Sequence, residues 1–172
     1  MDKIIKDIIR KIYLNGEENQ AITKKSALKI KADLENLLGK IKDISIDIQI
    51  SKDEEYRKIK YGKICAVALD IIVISARSKN KLIIQISKLG NFGKFYWEKE
   101  LPVLGGAQFF YELPKDWSID LFNQIKNAVE NYGIKFLSGE ELAEKCEAIP
   151  NYFDEREKAT VNELIFCYDG AH

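Results

Sequence analysis

Residues 64–88 read ICAVALDIIVISARSKNKLIIQISK and contain the strongest strand signals of the sequence. Two apolar runs rich in β-branched residues flank a short polar gap at residues 77–81. Such runs on either side of a turn predict a β-hairpin. The first run is apolar at every position from 71 to 74, which is typical of a strand covered on both faces. The hairpin is therefore expected at the centre of a sheet, with one charged side chain, Asp70, inside its first strand.

Helices and further strands are predicted on both sides of the hairpin. Upstream, isoleucines and leucines at helical spacing predict helices over residues 2–15 and 23–38, and Ile alternates with polar residues over 44–50 as in a half-buried strand. A strand start at 56–60 and a bend at Gly62 are also predicted. The downstream predictions are strands at 95–98, 108–113 and 160–168, a helix at 118–132, a connector at 134–137 and a short capped helix at 138–146.

This order of elements favours a single α+β domain over residues 1–172. Within it we expect an N-terminal helical pair at 1–39, a strand-rich core at 44–113 and a helix–strand–helix–strand segment at 118–172. The predicted sheet is antiparallel or mixed, with about six strands and with the helices packed mainly on one face. A chain of 172 residues buries roughly 70% of its unfolded surface, so it needs no metal or disulfide for stability.

The cysteine and histidine content limits the kinds of site that the chain can form. The three cysteines are widely spaced without a CxxC pair, and the single histidine is residue 172. This pattern argues against a disulfide framework, a zinc site and histidine-based catalysis, so we expect no metal, no cofactor and a cytoplasmic protein. No uninterrupted apolar run reaches the roughly 20 residues of a membrane span, and charges interrupt the N-terminal segment, so neither a membrane partner nor a signal peptide is expected.

One enzymatic alternative is a metal-dependent nuclease in which Asp70 is a catalytic residue. Metal-dependent nucleases of the PD-(D/E)xK type place an acid on one strand of a hairpin and an acid or Gln two residues before a Lys on the next. The outline here is similar, because Gln85 and Lys88 lie on the second strand. They are three residues apart, however, so a regular strand points them to opposite faces. Asp70 and Lys88 are the catalytic residues of this alternative; otherwise Asp70 is expected at a strand bend or beside a Lys or Arg.

The most unusual region is residues 92–117, where aromatic and acidic side chains are interleaved. Consecutive aromatics on a strand point to opposite faces, so they cannot all enter one core layer. They either pack between a covered strand pair and the helices or form a binding surface with an acidic rim. For the second interpretation the predicted partner-binding residues are Trp97, Glu98, Glu100, Tyr111, Glu112, Asp116 and Trp117.

These observations favour a protein that binds a partner and does not catalyse a reaction. Residues 98–172 carry 7 Lys and Arg against 15 Asp and Glu, a net charge of −8, whereas residues 1–97 carry a net charge of +8. Either the fold interleaves the two halves so that their fields largely cancel, or the acidic part forms a surface that attracts a basic partner rather than nucleic acid. We therefore expect a cytoplasmic protein-binding domain, in its most concrete form an immunity or inhibitor protein that neutralises a basic toxin. The alternatives are a metal-dependent nuclease or other hydrolase using Asp70, and a structural protein that self-associates through an edge strand at 160–168.

Overall fold

The computed structural model describes residues 1–15, 21–51, 67–101, 105–150 and 157–166. The predicted strand start at 56–60, the bend at Gly62 and the first three residues of the hairpin stretch lie outside these ranges.

The hairpin predicted from residues 64–88 is confirmed at the centre of a mixed sheet, which has six strands within the described ranges. The strand order is β1-β2-β3-β4-β5, each pair antiparallel, and β6 pairs in parallel with the start of β4. The strands of this sheet are β1 (Ile44–Ile50), β2 (Val67–Ser75), β3 (Asn80–Ser87), β4 (Phe92–Leu101), β5 (Gly106–Phe110) and β6 (Lys135–Phe136). The predicted α+β class is therefore confirmed.

The helices begin where the sequence provides capping side chains. Asp2 accepts a hydrogen bond from the backbone N–H of Ile4, and Thr23 and Ser118 cap the two longer helices in the same way. The helices are α1 (Lys3–Ile9), continued by a π-helical turn at Arg10–Leu14, α2 (Lys24–Leu38), α3 (Ile119–Glu130), α4 (Gly139–Ala143) and α5 (Val161–Phe166). A separate two-stranded sheet comprises β7 (Lys145–Pro150) and β8 (Lys158–Thr160).

The main core lies between the sheet and the two longest helices, α2 and α3. Leu34 and Leu38 of α2 pack with Ile71, Ile84 and other inward-facing strand residues, all essentially buried. Burial of this kind stabilises the fold by about 1.5–3 kcal/mol for each large apolar side chain. The apolar stripe predicted for a helix over residues 23–38 would include Leu37, but Leu37 is 47% exposed because it projects from the neighbouring flank of α2.

A second core joins the two ends of the described chain. Ile5 and Ile9 of α1 pack against Leu164 and Phe166 of α5, and Tyr13 donates its hydroxyl to the backbone carbonyl of Leu164 at 2.7 Å. The helices of this core lie near the ends of β3 and β4, where α5 contacts the sheet face opposite α2 and α3.

The strand predicted at 160–168 is wrong over residues 161–166, which form α5. The reason is a capping box: Thr160 Oγ1 accepts from the backbone N–H of Glu163, and the Glu163 carboxylate accepts from the backbone N–H of Thr160 at 2.7 Å. This local pairing overrides the β-branched composition of the stretch. The edge strand proposed there for self-association is accordingly absent from residues 161–166, and residues 167 and 168 lie outside the described ranges.

Candidate functional site

Three aromatic side chains lie together where β4 meets β5, on the sheet face opposite α2 and α3. Tyr96 and Phe109 contact each other edge to face, with ring centroids 5.5 Å apart. Phe109 is 43% exposed and Tyr111, just after β5, is 52% exposed. Burial raises the pKa of Tyr96, and the charges of Asp70 and Glu98 raise it further, so its phenol stays protonated at neutral pH. We call Tyr96, Phe109 and Tyr111 the aromatic patch.

An acidic group lies beside the aromatic patch on the same face. The register pairs Lys81 with Glu98, and Glu98 in turn with Phe109. Lys81 Nζ lies 2.5 Å from Glu100 Oε1 and 3.6 Å from Glu98 Oε1, which lowers the pKa of Glu100 and raises that of Lys81. Two carboxylates share one ammonium group, so the group has a net charge of −1 at neutral pH. We call it the acidic triad, and its members are Lys81, Glu98 and Glu100.

The strand β5 forms one edge of the sheet beside this surface. It pairs with β4 on one side, and no other strand among the described residues pairs with it. Residues 106–109 are all exposed, and β5 contains no charged residue. An uncharged, exposed edge strand presents backbone N–H and C=O groups that another strand can bind.

Two of the predicted partner-binding residues lie in the core instead, and the prediction that they form an exposed surface is wrong. Trp97 is 0% exposed and Trp117 is 6% exposed, with ring centroids 4.6 Å apart. Trp97 has the opposite parity on β4 from Tyr96 and Glu98, so it points under α3. Trp117 folds back onto it and donates its indole N–H to the backbone carbonyl of Asn80 at 3.0 Å.

The remaining acidic residues of the prediction separate into two locations. Glu112 is exposed just after β5, close in sequence to the aromatic patch. Asp116 lies at the turn between β2 and β3, where it accepts two hydrogen bonds from the Asn80 amide at 3.0 and 3.3 Å. Burial opposes ionisation of Asp116, but hydrogen bonds from Ser78 and Asn80 prevail and lower its pKa. Asp116 therefore belongs to a turn contact and not to the acidic triad.

A polar row crosses the same sheet face further along the strands. The register aligns Gln49, Asp70, Gln85 and Lys94 on four adjacent strands. Gln85 Nε2 donates to Asp70 Oδ1 at 2.8 Å. The lysine aligned with Asp70 is therefore Lys94 of β4 and not Lys88, which follows the last residue of β3 and is 2% exposed.

Lys94 connects this polar row to α5. It is only 7% exposed, its Nζ donates to Asn162 Oδ1 at 2.7 Å, and it lies 5.1 Å from the centroid of the Phe166 ring. A cation over an aromatic face is stabilised by the ring quadrupole. These contacts hold α5 against the sheet and give the lysine a structural role.

Sequence reasoning missed Lys94 and Phe109 as site residues. Lys94 is recognisable only from the strand register, because it faces Asp70 across an intervening strand. Phe109 was part of the aromatic region, and its position two residues before Tyr111 signals that both share a face.

Metal ligands, membrane helices and known families are each possible indications of function. Within the described ranges, no three His, Cys, Asp or Glu side chains are grouped so as to hold a metal ion. None of the described helices is long and apolar enough to cross a membrane. Comparisons with protein-family models, curated proteins and solved structures find no match to this chain.

Proposed function

We propose that this chain is a non-catalytic protein-binding domain whose contact surface is the aromatic patch together with the acidic triad. The observation that carries this proposal is the exposure of Phe109 and Tyr111, 43% and 52%, beside half-buried Tyr96. Large aromatic side chains supply much of the binding energy in protein interfaces because they bury apolar area at a low cost in conformational entropy. Adjacent exposed aromatics next to an edge strand fit this role.

The charge beside the patch determines the kind of partner. The acidic triad has a net charge of −1, and Glu100 is its most exposed member, with a side chain 65% exposed. An exposed carboxylate at the rim of an apolar contact favours association with a cationic partner. We therefore propose a basic protein as the partner, in the narrower form a toxin that this chain neutralises as an immunity or inhibitor protein in the cytoplasm.

The test is affinity purification from cells that produce the protein, using wild type, a Phe109→Ala/Tyr111→Ala double variant and a Leu28→Ala control. Leu28 is 50% exposed on α2, on the other side of the sheet, so its replacement removes a similar exposed apolar group away from the patch. We expect a basic protein to be retained by wild type and by the control. The double variant should lose about 2–4 kcal/mol of binding energy, roughly a 30- to 1000-fold weaker Kd by calorimetry with the purified partner. Equal retention by all three proteins would contradict the proposal.

One observation favours the hydrolase alternative. The register aligns Asp70, Gln85 and Lys94 on a single face of the sheet. A carboxylate and a lysine on one sheet face could serve a metal ion and a phosphate, although here Gln85 lies between them. Titration calorimetry with Mg²⁺ and Mn²⁺ on wild type and Asp70→Asn tests it. Binding in wild type that disappears in the variant supports a hydrolase, and the lack of binding heat in wild type ends this alternative.

A further inference from the structure

We propose that the partner binds by adding an extended segment to β5, so that the sheet continues from this chain into the partner. This inference rests on the proposed function and specifies how the surface is used. In strand addition, backbone hydrogen bonds to the edge provide affinity, and side chains at alternate positions provide specificity. The exposure of residues 106–109 leaves this edge accessible.

The side chains of β5 define the sequence that the added strand should carry. Ala107 and Phe109 share the face of the acidic triad, because the register places them opposite Glu100 and Glu98. A residue of the added strand opposite Phe109 would extend the aromatic patch, so an aromatic or branched aliphatic side chain fits there. The residue two positions away lies opposite Ala107, whose small side chain leaves room above the strand.

A lysine or arginine is the side chain that fits opposite Ala107. The added strand would lie two strand spacings from β4, a distance of about 10 Å. A long cationic side chain that lies across Ala107 spans most of that distance towards Glu100. Because Lys81 already offsets one of the two carboxylates, one further cation brings the acidic triad to neutrality. The expected recognition pattern is therefore an apolar or aromatic residue and a Lys or Arg two positions apart.

A second copy of this chain fits the edge less well. Its own β5 reads GAQFF and supplies no cation, and antiparallel pairing of two β5 strands would bring two acidic triads of net charge −1 towards each other. Like charges facing each other across an interface oppose association. The charge pattern therefore favours a basic segment of another protein over self-association.

The experiment is selection of a phage-displayed library of random 12-residue peptides on the full chain, followed by NMR hydrogen exchange with the selected peptides. We expect enrichment of an apolar or aromatic residue spaced two positions from Lys or Arg. The selected peptides should bind Phe109→Ala and Glu100→Gln at least about tenfold more weakly, and Leu28→Ala as tightly as wild type. Bound peptide should protect the amides of alternate residues within 106–110, since only the outward-pointing N–H groups gain partners.

Three outcomes overturn strand addition. They are the absence of enriched peptides, enriched peptides that leave β5 amides unprotected, and protection of β5 in the protein alone together with a dimeric mass in sedimentation. The proposed function has a separate readout, because a purified partner whose binding depends on Phe109 and Tyr111 supports it whether or not β5 becomes protected. Loss of that dependence overturns both.

Discussion

Replacing Trp97 and Trp117 one at a time with phenylalanine tests the assignment of these two side chains to the core. Both rings are buried and contact each other at 4.6 Å between centroids, so the same fused-ring fragment is removed in each variant. The hydrogen bonding of the two indoles differs. Trp117 donates its N–H to the Asn80 carbonyl, whereas the buried N–H of Trp97 has no hydrogen-bond acceptor within the described part of the chain.

The expected changes in the free energy of unfolding follow from this difference. Removing the fragment leaves a cavity on the order of 40 Å³, which costs about 1 kcal/mol at either position. At Trp97 the variant also removes a buried unsatisfied donor, whose desolvation costs about 1–3 kcal/mol, so the variant should range from as stable as wild type to about 2 kcal/mol more stable. At Trp117 the variant removes one of two hydrogen bonds to the Asn80 carbonyl, which keeps the Ser78 hydroxyl as a donor at 3.3 Å. A net loss of about 0.5–1.5 kcal/mol for this bond, added to the cavity, gives a total loss of about 1.5–2.5 kcal/mol.

Urea unfolding followed by circular dichroism measures both variants against wild type. The predicted result is that Trp117→Phe is less stable than Trp97→Phe by about 2 kcal/mol, or roughly 4–8 °C in Tm. A Trp97→Phe variant that is destabilised as much as Trp117→Phe would contradict the absence of an acceptor for the Trp97 indole N–H within the described residues. A core role also predicts that neither variant, when folded, changes affinity for the partner.

Two further predictions concern the contacts that hold the ends of the chain. Thr160→Val removes the hydroxyl that accepts a hydrogen bond from the Glu163 N–H at the start of α5. We expect the free energy of unfolding, measured in urea, to fall by about 1 kcal/mol. An unchanged urea midpoint would contradict this capping role. Lys135→Met should lower the Tm at pH 7, because Lys135 Nζ lies 2.9 Å from Asp2 Oδ2 and lowers the pKa of that carboxyl below 3.8. A lowered carboxyl pKa stabilises the fold above the unfolded pKa, so the Tm difference should shrink as the pH falls below about 4, and a difference constant down to pH 2 would contradict it.

The sequence predicted most elements whose signals are local. The alternation of residues 44–50 and the two runs around residues 77–81 predicted β1, β2 and β3, because each strand carries its own burial pattern. The capping residues Ser118 and Ser138 predicted the starts of α3 and α4 for a similarly local reason.

Features that depend on tertiary contacts were harder to predict. Gly93 lies outside the strand predicted at 95–98, yet it is within β4, where a Cβ would come within 3.0 Å of side-chain atoms of Ile134 and Phe136. The glycine permits the close approach of β6 and does not mark a turn. In the same way, composition could not decide whether Trp97 and Trp117 are core or surface, since that depends on the position of α3 over β4.

The most direct test of the proposed contact surface is site-specific photocrosslinking in cells that produce the protein. Phe109 is replaced with the photoreactive p-benzoyl-phenylalanine, and Leu28, similarly exposed on the other side of the sheet, is replaced in the same way as a control. We expect a covalent adduct with one basic protein from position 109 and none from position 28. The lack of an adduct at position 109, or the same adducts from both positions, would contradict it.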